Sequence, residues 1–406
     1  TTHTYDKVGN RKTTEDPSGA TTTFTYDGLD RVLTSTDDDG GVTITTYDDD
    51  GRVTRQEDAS GQFSTYGYDT RGRLITVTDA AGNITRTIYG TPSDGLDGLI
   101  AAMQYPSHRE EYKYDTRDRR SQIIRIHPAE GATPERRETT ISAYDAVGNL
   151  IASTDALGRS TLNTYDRRQR LTESTDALGG RTRYVYDTRD NLLSLTDAND
   201  NIHRFTYDKL DRTLSDARPL GQTIRYIYDP NGNLIERIDP LNQRAVHRYD
   251  DANRRDRSEY FEAGATTAHK TVNFSFDERN LLTGYNDGTT SATYVYDNLG
   301  RKTSETVDYG NFNISNGYTY YANGQKQSYT APDGTLISYA YTNHGQLNRL
   351  TIPGEGDIVY SNFKWTRPQT ITYPGNTIRT VGYDALMRTK TIHVRNSQND
   401  GLMDYG

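Results

Sequence analysis

Residues 144–166 read YDAVGNLIASTDALGRSTLNTYD, and this stretch decides the fold. It opens and closes on a Tyr-Asp pair, at Tyr144 and Tyr165, which lie 21 residues apart. Two turn motifs lie within it: YDAVGN, called here a first turn, and TDALGR, called a second turn. The segments between the turns are about six residues long and rich in threonine and aliphatic residues, which favours β-strands. One period therefore predicts two antiparallel strands with a turn at each end.

The Tyr-Asp pair recurs along the whole chain. Every step from Tyr5 to Tyr68, and again from Tyr144 to Tyr249, is 21 residues. A fixed period of this length indicates an array of one supersecondary unit. We predict a structural role in the repeat for the tyrosines of these pairs, and for three aspartates taken as representatives of their partners: Tyr5, Tyr26, Tyr47, Tyr68, Tyr114, Tyr144, Tyr165, Tyr186, Tyr207, Tyr228, Tyr249, Tyr296, Tyr383, Asp166, Asp187 and Asp208.

The residue types at fixed positions of the turns can be explained by backbone geometry and hydrogen bonding. An aspartate that opens a type I turn can accept the backbone N–H two residues further on. Glycine three residues after the aspartate, as at Gly148, can adopt a positive φ and close the hairpin with a bulge. Asp30, Asp211 and Gln169 take the place of that glycine in other repeats, so we expect left-handed backbone there too.

Strand alternation predicts one aromatic face. Aromatic residues two positions apart, such as Tyr184 and Tyr186, point to the same side of a strand. About 18 two-stranded units spaced about 4.8 Å per strand would form a ribbon roughly 170 Å wide. Twisted sheets of that width coil or split. We therefore predict an all-β fold in which tandem hairpins coil into a hollow shell, about 50 Å across if all strands share one perimeter.

Composition restricts the class of protein. Of 406 residues, 32% are hydrophobic, and the mean hydropathy is −0.89, which is too polar for a thick core. The net charge of −9 argues against nucleic-acid binding. There is no cysteine, so disulfides and thiolate metal sites are excluded. No apolar run of about 18 residues is present to span a membrane.

We expect one continuous repeat segment over residues 1–406, part of a longer protein. Regular repeats occupy 1–88 and 144–250, insertions 89–143 and 251–275, and degenerate repeats 300–406. Insertions in repeat arrays usually form loops. The apolar run Leu99–Met103 favours a locally buried strand over a cargo contact.

No catalytic or cofactor motif is present. The nucleophile elbow, the zinc-binding HExxH motif and the phosphate-binding loop are all missing. The acidic runs Asp37–Asp39 and Asp48–Asp50 do not complete a calcium loop. The eight histidines fall in different registers. We therefore predict no enzyme activity and no cofactor.

The repeats at 144–166 and at 228–250, YDPNGNLIERIDPLNQRAVHRYD, resemble the YD/Rhs repeat family over essentially the whole chain. That family includes bacterial Rhs polymorphic toxins, the BC components of Tc toxins, and teneurins. The resemblance implies a hairpin ribbon spiralling into a cocoon that, in the bacterial toxins, encloses a C-terminal toxin domain. The family's DPxGL-type self-cleavage core is missing here, and Asp94-Gly95-Leu96 lacks the proline, so it does not inherit that role.

The resemblance favours a non-catalytic shell segment of a secreted bacterial toxin. Its expected partners are its own C-terminal toxin domain or the remainder of the shell, and a component of a secretion apparatus. The expected location is outside the bacterial cell or on its surface, with the export signal outside this segment. The alternative is a teneurin-like adhesion or glycan-binding module, because aromatic faces can stack on sugars.

Overall fold

The structure is a computed structural model that describes residues 1–129 and 134–406. It is one antiparallel sheet of 37 strands, and the described residues form no α-helix. Each strand pairs with the strand that follows it in sequence, from β1–β2 to β36–β37. The all-β array of hairpins predicted from the sequence is confirmed. The sheet is not closed, because its first and last strands each pair with only one neighbour among the described residues.

The first half of the sheet contains β1 Thr2–Tyr5, β2 Arg11–Glu15, β3 Thr21–Tyr26, β4 Val32–Thr36, β5 Val42–Tyr47, β6 Val53–Glu57, β7 Phe63–Tyr68, β8 Leu74–Thr78, β9 Ile84–Tyr89, β10 Ile100–Gln104, β11 Arg109–Tyr114, β12 Arg120–His127, β13 Arg136–Tyr144, β14 Leu150–Thr154, β15 Ser160–Tyr165, β16 Leu171–Thr175, β17 Arg181–Tyr186, β18 Leu192–Thr196 and β19 Ile202–Tyr207.

The second half contains β20 Thr213–Ala217, β21 Thr223–Tyr228, β22 Leu234–Ile238, β23 Arg244–Tyr249, β24 Arg255–Phe261, β25 Lys270–Phe276, β26 Leu282–Asn286, β27 Ser291–Tyr296, β28 Lys302–Asp308, β29 Asn313–Tyr320, β30 Lys326–Thr330, β31 Leu336–Tyr341, β32 Leu347–Ile352, β33 Gly356–Lys364, β34 Arg367–Thr372, β35 Ile378–Tyr383, β36 Thr389–Arg395 and β37 Gly401–Tyr405. Three short 3-10 segments span Pro92–Asp94, Pro219–Gly221 and Pro374–Asn376.

The tyrosine of each Tyr-Asp pair is the last residue of its strand, and the strand register shifts there. Tyr26 pairs with Val32 and Tyr165 with Leu171, each across a bulge. A bulge adds local right-handed twist. Because it recurs once per repeat, it twists the ribbon at regular intervals.

The sheet is a single layer with very little core. Its accessible surface is 24113 Å². A compact monomer of 45.8 kDa would expose about 16,000 Å². Only eight apolar side chains of the described part are buried, among them Ala102, Ile224 and Val381. The ribbon is thus a wall rather than one half of a packed sandwich.

The irregular segments form loops, as expected, and also lengthen hairpins. Residues 90–99 and 262–269 connect strands as loops, the former through the 3-10 segment Pro92–Asp94. The hairpin β12–β13 has strands of eight and nine residues, and β24 and β25 have seven each. Residues 130–133 of the predicted insertion at 89–143 lie outside the described part of the chain. The run at 99–103 is largely strand, as predicted, since β10 buries Ala102.

The ribbon coils until second turns from early strands meet first turns from late strands. We call this line of contact the seam. The turn between β4 and β5 contacts the turn between β27 and β28: Asn298 Nδ2 donates to Asp38 Oδ2 over 2.7 Å, and Arg301 Nη2 pairs with Asp39 Oδ2 at 2.7 Å. Asn323 Nδ2 donates to Ser60 Oγ over 2.9 Å further along. The seam ends near Glu138, whose Oε1 is 3.9 Å from Arg388 Nη2.

The seam defines the size of one revolution. The turns after β4 and β27 are 23 strands apart along the sheet. At about 4.8 Å per strand, the circumference is roughly 110 Å and the diameter about 35 Å. The value of about 50 Å expected from the sequence was too large, because it assigned all strands to one perimeter, whereas the later strands begin a second revolution.

Asp39→Asn should loosen the seam without disturbing its own hairpin. The substitution removes the ion pair with Arg301, which keeps its partner Asp297 at 2.6 Å. We expect faster amide hydrogen exchange at 37–41 and 297–301, with a loss below about 1 kcal/mol, because the pair is only partly buried. Asp49→Asn, in the exposed turn between β5 and β6, is the control. Equal exchange at 297–301 in both variants would show that the Asp39–Arg301 pair does not join the two revolutions at the seam.

Candidate functional site in the repeat turns

The aspartate of each first turn organises its own backbone. Asp166 Oδ1 accepts the N–H of Arg168 over 2.8 Å and the N–H of Arg170 over 3.1 Å. The N–H of Gln169 donates to the Asp166 carbonyl over 3.0 Å. Asp187 and Asp208 accept the corresponding bonds in the next two repeats. The turn expected from the sequence is confirmed, and so is the positive φ of Gln169, at 65°.

The second carboxylate oxygen binds the residue four positions after the aspartate. Where that residue is arginine, its Nε donates to Oδ2 over 2.6–2.8 Å, as in Arg170–Asp166, Arg212–Asp208 and Arg301–Asp297. Asparagine does the same with Nδ2 over 2.8–2.9 Å, as in Asn149–Asp145 and Asn191–Asp187. Sequence reasoning missed this role, although the signal was present: Arg or Asn occupies this position in most turns.

The same arginine also reaches the next repeat. Arg170 Nη1 donates to the Asp187 carbonyl over 2.6 Å, and its guanidinium lies 4.8 Å from the centroid of the Tyr186 ring. Arg212 makes the same two contacts with Asp229 and Tyr228, at 2.9 and 4.8 Å. A planar guanidinium can serve an anion, a carbonyl and a ring together, which lysine cannot do equally well. The arginine therefore joins consecutive first turns.

The tyrosines connect repeats in the opposite direction. The hydroxyl of each bonded tyrosine donates over 2.7–3.2 Å to a carbonyl of the preceding hairpin, usually at the residue that faces the bulge. The pairs are Tyr26–Arg11, Tyr47–Val32, Tyr68–Val53, Tyr114–Ile100, Tyr144–Arg120, Tyr165–Leu150, Tyr207–Leu192, Tyr249–Leu234, Tyr296–Leu282 and Tyr383–Pro368. Tyr5, Tyr186 and Tyr228 occupy the same strand-end position. We call the Asp, its Arg or Asn partner and the following Tyr the turn clamp.

The opposite face of the sheet carries short polar side chains. Threonine and serine hydroxyls bond across neighbouring strands: Thr25 Oγ1 lies 2.6 Å from Thr34 Oγ1, and Thr206 Oγ1 lies 2.6 Å from Ser215 Oγ. One face is therefore aromatic and the other hydroxyl-rich. The hydroxyl-rich face also carries exposed aliphatic side chains, such as Val185, Ile227 and Val295, and no second layer of the described residues covers them.

The clamp lowers the pKa of its aspartates. The Arg170 side chain, followed by the Arg170 backbone N–H, holds the pKa of Asp166 below its usual value. The Arg119 side chain lowers the pKa of Asp115 to about 2. Hydrogen bonds to an ionised carboxylate favour the charged form. These aspartates stay ionised, and none is a proton donor near neutral pH.

One polar cluster on the aromatic face surrounds Glu305. Its carboxylate pairs with Lys302 and accepts the Tyr318 hydroxyl over 3.1 Å. Lys302 lowers the pKa of Glu305, while burial and then Glu305 raise the pKa of Tyr318 to about 12. Both groups therefore keep one protonation state near pH 7, as expected of a structural network.

The described residues contain no group of three or more histidine, aspartate or glutamate side chains arranged to hold a metal ion. Asp38 and Asp39, in the acidic run considered for calcium, are engaged by the seam contacts to Asn298 and Arg301. Nor do the described residues form a helix long and apolar enough to cross a membrane.

Tyr207→Phe should weaken the contact between two repeats. It removes the 2.9 Å bond to the Leu192 carbonyl and keeps the ring. We expect a local loss of about 0.5–1.5 kcal/mol, seen as up to about tenfold lower hydrogen-exchange protection in β18 and β19. Tyr5→Phe is the matched control, since Tyr5 ends the first strand and is 58% exposed. The inter-repeat role would be contradicted if both variants kept full protection.

Acid should destabilise the array mainly below about pH 4. Because the folded pKa of clamp aspartates is lower than the unfolded value of about 3.9, their stabilisation is complete above that value. It is lost as the pH falls toward about 2. Burial lowers the pKa of His108 and His247, which adds a smaller loss starting below pH 6.5. Thermal melting from pH 7 to pH 2 measures this, and a loss between pH 7 and 5 as large as that between pH 4 and 2.5 would contradict it.

The repeats match the family model described as RHS Repeat. The matched residues are 5–42, 47–84, 144–179, 165–202 and 207–244. No curated protein matches the chain.

Solved structures of Tc toxin components share the fold. TcdB2-TccC3 with Cdc42 has a TM-score of 0.77 and 17% identity, over 92% of this chain and 23% of that one. TcdB2-TccC3 without its hypervariable C-terminal region has a TM-score of 0.77 and 17% identity, over 97% and 24%. The Photorhabdus luminescens Tc holotoxin pore, with a substitution in TccC3, has a TM-score of 0.59 and 16% identity, over 100% and 26%.

At these identities the likeness is one of fold, and the present chain spans about a quarter of the length of each of those chains. The family matches lie on the hairpins whose first turns carry the clamp. Together, the repeat matches and the turn clamps show that the chain is built from RHS repeats over residues 5–42, 47–84, 144–202 and 207–244.

Proposed function

We propose that this chain is a non-catalytic wall segment of a hollow shell in a secreted bacterial Rhs-type polymorphic toxin. The shell would enclose a C-terminal toxin domain that lies outside residues 1–406 and keep it folded away from proteases until delivery. The chain is a repeat module of the type found in Rhs and Tc toxin shells. Enclosure of a toxin is the step we propose beyond that.

One observation carries the proposal: the sheet is a single layer that coils back onto itself. A revolution of 23 strands is joined at the seam by Asn298–Asp38 and Arg301–Asp39 contacts. The surface of 24113 Å² is about half as large again as that of a compact protein of this mass. A single-layered sheet whose two faces both contact water can surround a space that holds water or another polypeptide. A coil packed by its own side chains would instead need a continuous apolar inner face.

The chemistry of the side chains supports a non-catalytic role. Every aspartate or glutamate with a shifted pKa in the described part of the chain has it lowered, through turn clamps, seam contacts or cross-strand bonds. A general acid needs a raised pKa, and a nucleophile needs an adjacent base. The acidic residues are used as turn caps and ion-pair partners.

The same proposal specifies partners and place. The partners are the enclosed toxin domain, the remainder of the shell and a component of a secretion apparatus. TcdB2-TccC3 and the Tc holotoxin pore, which share this fold, are assemblies of several toxin components, and this supports association with other toxin parts. The protein would act outside the bacterial cell.

Electron microscopy of the full-length protein tests the proposal. We expect a hollow coil with additional density inside, which disappears when the polypeptide after the shell is deleted. Protease should cut that polypeptide only after the shell is opened by acid below about pH 4. An empty coil with the downstream domain outside and cleaved at once would contradict enclosure, and an exposed aromatic groove that binds glycans would favour adhesion.

A further inference from the structure

We infer that the second turns from β14 to β23 form a docking surface for the next revolution of the ribbon, contributed by RHS repeats that follow Tyr405. The inference rests on the proposed shell function and names the surface through which the remainder of the shell attaches. We call this surface the leucine edge: Leu157, Leu178, Leu220 and Leu241.

The seam shows what covers a second turn. The described seam contacts join a second turn, or the strand beside it, to a first turn 250–263 residues later: Asp38–Asn298, Asp39–Arg301 and Ser60–Asn323 are separated by 260, 262 and 263 residues, and Glu138–Arg388 by 250. The nearly constant separation means that successive revolutions stay in register. The covering element is always a first turn, because the two kinds of turn lie on opposite edges of the ribbon.

Contact at the seam buries the apolar residues of the first turns. Leu299, two residues after its aspartate, is 36% exposed at the seam. At the same position in first turns away from the seam, Val8, Leu29, Val147 and Leu210 are 65–74% exposed. Ala385 and Met387, in the first turn that meets the β12–β13 hairpin, are 3% and 7% exposed. Contact between revolutions at the seam therefore lowers the exposure of apolar side chains in the first turns.

The leucine edge begins where the seam ends. The seam's last described contact is Glu138–Arg388, and the next second turn along the chain carries Leu157. The four leucines of the edge are 77%, 97%, 98% and 71% exposed. Asn199 takes the same place in the turn between β18 and β19. Apolar side chains this exposed, on consecutive hairpins along one edge, are typical of an interaction surface.

The separation of about 260 residues identifies the occupant. Applied to the turn at Leu178, it places the covering first turn beyond residue 406, in repeats that would extend the sheet from β37. All five residues of β37 are exposed, and its outer edge pairs with no strand among the described residues. The leucines of the uncovered edge occupy the same turn position as Asp39 and Ser60 in the second turns of the seam, so the uncovered edge is apolar and the seam is polar. We therefore expect the covering first turns to carry aliphatic residues, as Val8 and Leu29 do on the other edge.

Cysteine labelling in the full-length protein tests the inference. Residues 1–406 contain no cysteine, so Leu178→Cys and Leu241→Cys each introduce one thiol in this region, read out by peptide mass spectrometry. Ala385→Cys at the seam is the covered control, and Val185→Cys, 53% exposed on a strand of the next hairpin, controls for access of the reagent. Each rate is divided by the rate of the same variant in denaturant.

We expect Leu178→Cys and Leu241→Cys to label at least tenfold more slowly than Val185→Cys and about as slowly as Ala385→Cys. Labelling as fast as that of Val185→Cys would overturn the inference. Protection only at high protein concentration would identify a second copy as the occupant and would also overturn it. If microscopy shows an empty shell while the leucine edge is protected from labelling, toxin enclosure is contradicted and the docking of the next revolution stands. If the shell is filled while the leucine edge reacts rapidly, the docking is contradicted and toxin enclosure stands.

Discussion

The structure depends on one carboxylate used in two ways. In each clamped first turn, one aspartate oxygen caps the backbone while the other holds an arginine or asparagine four residues later. The arginine reaches the next turn, and a tyrosine hydroxyl reaches back to the previous hairpin. A polar sheet with so small a core has few hydrophobic contacts to define its register. The clamp supplies that definition locally, once per repeat.

Local contacts of this kind have a consequence for the whole molecule. In repeat arrays, stability is close to a sum of unit and neighbour terms, so a long wall can be built without a central core. The recurrent bulges and strand twist then curve the wall until its edges meet. The seam contacts are few and partly exposed, which means that the curvature comes from the repeats and the seam only fixes how revolutions align.

Much of this could be predicted from sequence because it is local. Period, turn chemistry and strand length follow from Tyr-Asp spacing and from residues such as Asp166 and Gln169, and the structure confirms them. The arginine bridge was missed since its partners, Asp187 and Tyr186, belong to the next repeat. The diameter of the coil was overestimated because nothing in the sequence indicates that Asp38 contacts Asn298, which lies 260 residues further along the chain. The domain boundaries expected from the insertions stay predictions.

The central claim is that the ribbon returns to itself after 23 strands. The direct measurement is the distance between spin labels at Asp38→Cys and Asn298→Cys, introduced into the cysteine-free chain and read by pulsed electron resonance. The coil predicts a short distance, within about 20 Å once label length is included, because the native side chains are 2.7 Å apart. A ribbon that does not coil would separate the two turns by roughly 110 Å, at about 4.8 Å per strand. A distance beyond the range of the method would contradict the account.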